Sequence, residues 1–173
     1  MSRQIKNIFA ITAFLICIGL INIAGQNIEI EIRGMNAFTF ILIVAVLLQV
    51  IFFIPSFLLK TEKYYDLVGS LTYVATVSLA YFAVENKTMI DSIIYFYVMV
   101  WALRLGIYLF RRVRNDGKDV RFEKAKRHFF WFLQYWMGQA LWVALTACAA
   151  IIAILSPEEN TLPLLAMVGM ALW

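Results

Sequence analysis

The distribution of positive charge between long apolar segments is the feature that most constrains this chain. Eight of its fifteen Lys and Arg residues fall within residues 111–127, between two apolar segments long enough to cross a bilayer. A spanning helix needs about 20 predominantly apolar residues, and lipid tolerates only helices or closed barrels as spans. Strand-like alternation of apolar and polar residues is absent from the sequence. The pattern therefore predicts an all-α, multi-pass transmembrane helical bundle.

Hydropathy divides the chain into five full spans and a shorter sixth apolar segment, all within a single membrane domain of residues 1–173. Hydrophobic residues make up 63% of the chain, well above the share in a typical soluble domain. The sixth segment has 13 residues, which is too short for a hydrocarbon core of about 30 Å, so we expect a truncated helix there. The predicted helices are about 8–24, 37–59, 67–84, 89–110, 129–155 and 161–173.

The loop charges predict an orientation for these spans. If the spans alternate strictly, twelve of the fourteen Lys and Arg residues outside the spans fall on one side of the membrane. Cytoplasmic loops are the ones enriched in Lys and Arg, so the N-terminus is expected in the cytoplasm, and 111–128 is expected to be a basic cytoplasmic loop. A net charge of +4 concentrated at one membrane face indicates contact with membrane lipids rather than nucleic acid.

Three candidate catalytic residues lie between the second and third spans. Tyr64, Tyr65 and Asp66 are consecutive at the expected cytoplasmic mouth of these helices. A phenol hydroxyl and a carboxyl group at the entrance of a pocket can donate a proton or orient a polar substrate. Interfacial tyrosines and an acidic residue at a helix start are also common structural features, which leaves that alternative open.

Three candidate cofactor-binding residues lie in the fourth span and in the basic loop. Arg104 is roughly 9 Å from the end of its helix and can either extend to the membrane surface or point inward towards an oxyanion. Asp119 and Arg121 belong to a loop in which acidic residues alternate with basic ones. This alternation favours a folded cap that could hold the phosphates of a nucleotide, although contact with anionic lipid would also explain the positive charge.

Three further residues are candidates for a substrate pocket within the membrane. Gln49 and Gln139 are isolated amides in the second and fifth spans, and Trp101 precedes Arg104 by three residues. Interhelical hydrogen bonding is the structural alternative for both amides. The two cysteines both lie in apolar segments, and the sequence shows no Cys/His metal-binding pattern, so no metal site is predicted.

Several of these segments together resemble one known family. Residues 60–73, 100–105 and 117–122, followed by Gln139, are similar in order and spacing to the N-terminal two-thirds of bacterial-type steroid 5-alpha-reductase-like membrane proteins. The resemblance covers roughly residues 40–145. It implies that Asp66, Arg104, Asp119 and Arg121 line the site. An Arg-His-Pro-Asn-Tyr-like motif of that family does not occur in this sequence, so the resemblance implies only part of such a site.

The resemblance implies an oxidoreductase that acts on CH–CH groups in lipid metabolism. NADPH would bind at the cytoplasmic side of a bacterial inner membrane, and a hydrophobic, lipid-like or steroid-like enone would be reduced within the bundle. Two alternatives stay open. One is a related membrane methyltransferase that uses S-adenosylmethionine, and the other is a non-catalytic membrane scaffold or lipid-binding protein.

Overall fold

The computed structural model describes residues 2–116 and 119–156, which form five α-helices. Every one of these helices is long and apolar enough to cross a membrane, which confirms the predicted all-α multi-pass bundle and indicates an integral membrane protein. Two short strands precede the second helix, and two single-turn 3-10 helices connect the fourth to the fifth. In chain order the elements are α1 Arg3–Ile23, β1 Glu31–Ile32, β2 Met35–Asn36, α2 Ala37–Leu58, α3 Tyr65–Ala83, α4 Met89–Asp116, the 3-10 turns Val120–Phe122 and Ala125–Arg127, and α5 Phe129–Leu155.

Helix boundaries differ from the predicted ones where a helix extends beyond the apolar segment. The first helix begins at Arg3 rather than near residue 8, and the Ser2 hydroxyl caps it by accepting a hydrogen bond from the Ile5 amide at 3.4 Å. The fourth helix continues to Asp116, so residues 111–116 of the predicted basic loop are helical. The predicted sixth segment, 161–173, lies outside the described residues.

A small β-hairpin that the sequence analysis did not predict connects α1 to α2. Arg33 and Gly34 form the two-residue turn of the hairpin, and their φ angles are 54° and 75°. A type I′ hairpin turn requires this left-handed conformation at both positions. The side chain of Asn36 then caps α2, because its oxygen accepts a hydrogen bond from the Thr39 amide at 3.0 Å. The same side chain donates to the Ile28 carbonyl at 2.8 Å, which fixes the direction in which α2 leaves the hairpin.

The third helix connects α4 to the rest of the bundle. It packs against α2, α4 and α5, whereas α1 packs chiefly on α5, and α4 and α5 contact each other little. Many polar side chains of α3 point into these interfaces. Thr72 accepts a hydrogen bond from the fully buried Gln49 of α2 at 2.8 Å, and the hydroxyl of Tyr73 lies within hydrogen-bonding distance of Thr146 on α5. These bonds give Gln49 Nε2 and the Tyr73 hydroxyl partners that lipid could not supply, whereas Gln49 Oε1 has no partner among the described residues.

Close approach of α3 and α4 depends on a glycine. The hydroxyl of Ser70 donates to the carbonyl of Ala102, one turn before Gly106 on α4. A Cβ atom added at Gly106 would lie 2.6 Å from the Cβ of Ser70 and closer still to its hydroxyl oxygen. No flexible side-chain end is available there to move aside, so the spacing of the two helices requires glycine at this position.

We expect Gly106→Ala to destabilise the bundle by about 1–3 kcal/mol, the usual range for overpacking a well-packed interface. The measurement is the thermal unfolding midpoint of the detergent-solubilised protein. Gly19→Ala is the matched control, because a Cβ there meets no atom within 4 Å and alanine is the better helix former. Equal unfolding midpoints for the two variants would show that α3 and α4 are not packed as described.

Candidate functional site

Four charged residues meet where α3 begins, where α4 ends and where the first 3-10 turn begins. We call residues 119–128, which contain both 3-10 turns, the cap. Asp66 in the first turn of α3 lies 3.4 Å from the guanidinium of Arg112 on α4 and 3.6 Å from that of Arg121 in the cap. Asp119 of the cap accepts hydrogen bonds from Arg121 Nε at 2.9 and 3.0 Å. The four side chains therefore form one ion-pair cluster that joins three elements.

A second ion pair fastens the cap to the segment before α3. The carboxylate of Glu62 is buried and accepts a bond from Lys126 Nζ at 2.6 Å. Its other oxygen accepts a bond from the backbone amide of Asp119 at 3.3 Å. The acidic groups thus come from the segment around the start of α3 and from Asp119, and the cations come from α4 and the cap. This pairing holds the basic segment against the bundle as a folded cap, as the alternating charges predicted.

The hydrogen bonds within the cap shift the ionisation of its charged pair. Donation from Arg121 is the main reason that the pKa of Asp119 lies below the ordinary carboxyl value, and the backbone amide of Arg121 adds to this effect. The same hydrogen bond raises the pKa of Arg121, so its guanidinium stays protonated. Both groups are therefore charged throughout the physiological pH range.

A cavity of 490 Å³ lies beside this cluster, between α3 and α5, with α4 and α1 closing its sides. Its charged end is formed by Asp66 and Arg121, and its interior is formed by aromatic, amide and aliphatic side chains. The volume falls within the range of small-molecule sites. The lining residues are Phe14, Tyr65, Asp66, Gly69, Ser70, Tyr73, Leu105, Leu109, Arg121, Gln134, Tyr135, Gly138, Gln139, Trp142 and Val143.

The amide of Gln139 is an unsatisfied polar group on the wall of this cavity. Its Oε1 atom is buried and has no hydrogen-bond partner among the described residues. Gly69 provides the space for this side chain, because a Cβ added there would lie 2.8 Å from Gln139 Cδ. Gln49 Oε1 and Trp136 Nε1 are likewise without partners among the described residues, but Gln139 is the one of the three that lines this cavity, where a bound group could reach it.

Tyr65 is fixed at the junction between the cavity and the cap. Its hydroxyl donates to the carbonyl of Tyr135 at 2.9 Å, and its ring packs against Phe122 of the cap and Trp136 of α5, with centroid separations of 4.7 and 5.3 Å. Tyr64 instead stacks on Phe110 and is half exposed, beside a separate cavity of 280 Å³. The two adjacent tyrosines therefore occupy different surroundings.

The structure brings some of the predicted site residues together and separates others. Tyr65, Asp66, Arg121 and Gln139 line the 490 Å³ cavity, and Asp119 supports Arg121. Arg104 is exposed on α4, and Gln49 is buried in the α2–α3 interface, so neither lines it. Trp101 packs edge-on against Tyr73 and lines a neighbouring cavity of 340 Å³. The functional roles of all these residues stay predictions.

Several residues of the site were not predicted. Asp66, Ser70 and Tyr73 follow one another at intervals of four and three, which places them on one face of α3. This periodicity is a signal that would have identified Ser70 and Tyr73. Arg112 had no such signal, because its position depends on the extension of α4 beyond the apolar segment. Within the described ranges, no three His, Cys, Asp or Glu side chains are grouped to hold a metal ion.

Comparison with known proteins identifies the family to which the chain belongs. A family model described as "Protein of unknown function (DUF1295)" matches residues 52–173. The chain belongs to this family. The match includes α3, α4, the cap and α5, which provide every wall of the 490 Å³ cavity except Phe14. No curated protein and no solved structure matches the chain. The resemblance to reductases is thus supported only at the level of an uncharacterised family.

The lowered pKa of Asp119 predicts the pH dependence of its contribution to stability. The pKa of a carboxyl group in the unfolded chain is about 3.9. When the pKa in the folded protein is lower, the group contributes its full stabilisation at every pH well above about 3.9. The contribution is lost as the pH falls through the lower, folded value. We therefore expect the difference in unfolding midpoint between the parent protein and Asp119→Asn to be constant between about pH 7 and pH 5.5 and to shrink only below about pH 4.

Glu85→Gln is the control for this series, because Glu85 is an exposed carboxylate in the turn after α3. Its unfolding midpoint should stay close to that of the parent protein, because an exposed surface charge contributes little to stability. A difference for Asp119→Asn that already shrinks near pH 6 would contradict the assigned ion pair.

Proposed function

We propose that this protein contributes to an NADPH-dependent membrane reductase that acts on the CH–CH bond of a hydrophobic enone. The observation that carries the proposal is the 490 Å³ cavity, which has apolar and aromatic walls, the unsatisfied Oε1 atom of Gln139 inside it and the guanidinium of Arg121 at one end, with Arg112 nearby on Asp66. A ligand that is apolar at one end and anionic at the other suits such a cavity. The resemblance of the chain to steroid 5-alpha-reductase-like proteins supports the same class of ligand.

The charged end of the cavity fits the phosphates of a dinucleotide. A guanidinium carries five N–H donors, and the bonds from Arg121 to Asp119 use only those on Nε and Nη2. Arg112 bonds Asp66 through Nη2, and its side chain is 42% exposed. Donors therefore remain on both arginines among the contacts that the structure describes. Arg112 and Arg121 would hold the phosphates, and Gln139 would bond a polar group deeper in the cavity.

The remaining polar side chains of the cavity suit handling of the substrate proton. NADPH supplies a hydride when it is bound, so the chain must supply or relay a proton. Tyr65 is the candidate proton donor. Its hydroxyl is held by the Tyr135 carbonyl, and the O–H bond can rotate towards a carbonyl oxygen in the cavity. Asp66 bonds the guanidinium groups and would keep them in position beside Tyr65.

The charges support an orientation for the protein in the membrane. Asp66 and Glu62, at and just before the start of α3, contact α4 and the cap. The starts of α3 and α5 and the end of α4 therefore lie at the same end of the bundle. Most of the Lys and Arg residues belong to this end. We propose that it faces the cytoplasm of a bacterial cell, which also places the N-terminus there and gives the charged end of the cavity access to NADPH.

We expect NADPH to raise the unfolding midpoint of the purified protein, and S-adenosylmethionine to leave it unchanged. Arg121→Ala should weaken NADPH binding about tenfold or more, because a charge-assisted hydrogen bond typically contributes about 1.5–3 kcal/mol. Binding can be measured by titration in detergent micelles. Arg104→Ala removes the same charge from an exposed position on α4 and is the matched control.

Either of two results would contradict the reductase proposal. One is a response to S-adenosylmethionine in place of NADPH, which would favour the methyltransferase alternative. The other is equal NADPH affinity in the Arg121→Ala variant and the parent protein, which would show that the cofactor does not bind in this cavity. A protein that responds to neither cofactor would fit the scaffold alternative.

A further inference from the structure

A second cavity lies where α1 and α5 begin. Its volume is 480 Å³, and it shares no lining residue with the cavity described above. Its α1 side comes from residues that precede the family match, which begins at residue 52. The lining residues are Ser2, Arg3, Gln4, Asn7, Arg127, His128, Phe129, Phe130 and Trp131.

The lining of this second cavity carries positive charge that no acidic lining residue offsets. Arg3 and Arg127 both line it, and none of its lining residues is acidic. The guanidinium of Arg3 lies over the ring of Trp131, 4.4 Å from the centroid, and neither arginine forms an ion pair within the described part of the chain. An arginine is always protonated in a protein, so the cavity presents fixed positive charge.

The first turn of α5 adds to this field. The helix is 27 residues long and begins at Phe129, with no acidic residue in its first turn. The preceding residue, His128, makes no side-chain cap, so its imidazole accepts no hydrogen bond from the first amides of the helix. The N-terminus of a helix carries partial positive charge and free N–H groups, both of which favour a bound anion.

Asn7 adds a neutral hydrogen-bonding group to this cavity. Its side chain lines the cavity, yet the residue is only 8% exposed. Its amide forms no hydrogen bond within residues 2–116 and 119–156, and its polar atoms are accessible from the cavity. An amide on the wall of a cavity takes its hydrogen-bond partner from whatever fills the cavity, water or a bound group. An anion between Arg3 and Arg127 would provide that partner.

We propose that this cavity binds the phosphate group of an anionic phospholipid. The starts of two spans lie at the membrane boundary, which is the depth of lipid phosphates, and the partly exposed rings of Phe129 and Phe130 lie beside the cavity, where acyl chains would pass. Phosphate oxygens accept hydrogen bonds from Arg3, Arg127 and the Asn7 amide. The two arginines have no acidic residue beside them in the lining, so the cavity favours a headgroup with net negative charge over a zwitterionic one.

The test is native mass spectrometry of the full chain in detergent with added phosphatidylglycerol. We expect the parent protein to retain the lipid, and Arg127→Ala to weaken its binding about tenfold. Asn7→Asp should also lose the lipid, because a carboxylate of the same size would take the place of the phosphate beside the arginines. Lys6→Ala is the charge-matched control, since Lys6 is next to Asn7 in sequence but does not line the cavity.

The controls separate the lipid from other ligands. The Asn7→Asp variant should keep the unfolding midpoint of the parent protein, so that loss of lipid does not reflect loss of the fold. Equal retention of phosphatidylglycerol by the parent, Arg127→Ala and Asn7→Asp proteins would overturn the proposal. Equal binding of phosphatidylcholine would overturn the preference for an anionic headgroup. Displacement of the lipid by millimolar inorganic phosphate would assign the cavity to a soluble anion instead.

Discussion

The requirement that polar groups be satisfied inside a membrane organises the rest of this structure around α3. This helix carries Ser70, Thr72 and Tyr73 within one short stretch, and lipid offers none of them a partner. Each therefore faces another helix, and three neighbours surround α3 as a result. Because α4 and α5 both pack on α3 and hardly on each other, a gap bounded by all three helices remains. The candidate site occupies that gap.

The cap closes the same gap from the charged end. Glu62 is buried against Lys126, and Asp66 pairs with cations from both α4 and the cap. A buried ion pair is weak evidence for stability, since removal of the charges from water offsets much of the attraction. Such pairs do specify one arrangement, because leaving either partner alone is strongly unfavourable. The basic segment therefore does more than orient the protein in the membrane.

Hydropathy alone predicted all five described spans, since about 20 apolar residues in succession leave a helix little alternative. It could not predict the extension of α4 to Asp116, because beyond the hydrocarbon core a helix end depends on local contacts rather than apolarity. The sequence also could not predict whether the Arg104 side chain points into the bundle, because that depends on which face of α4 packs against α3. Asp66, Arg121 and Gln139 could be identified from residue type and order, but their meeting at one cavity required the packing of three elements.

The two cavities differ in a way that bears on how each would take an anion. At the candidate site the guanidinium groups already bond Asp66 and Asp119, so an incoming phosphate must share donors with those carboxylates. Like charges close together repel, which weakens phosphate binding there unless the ligand gains further contacts along the apolar wall. A dinucleotide can do so, and a free phosphate cannot. The cavity beside Asn7 has arginines without carboxylates, so a single phosphate group meets no such competition. Pairing of charge therefore favours an extended ligand at the first cavity and a headgroup at the second.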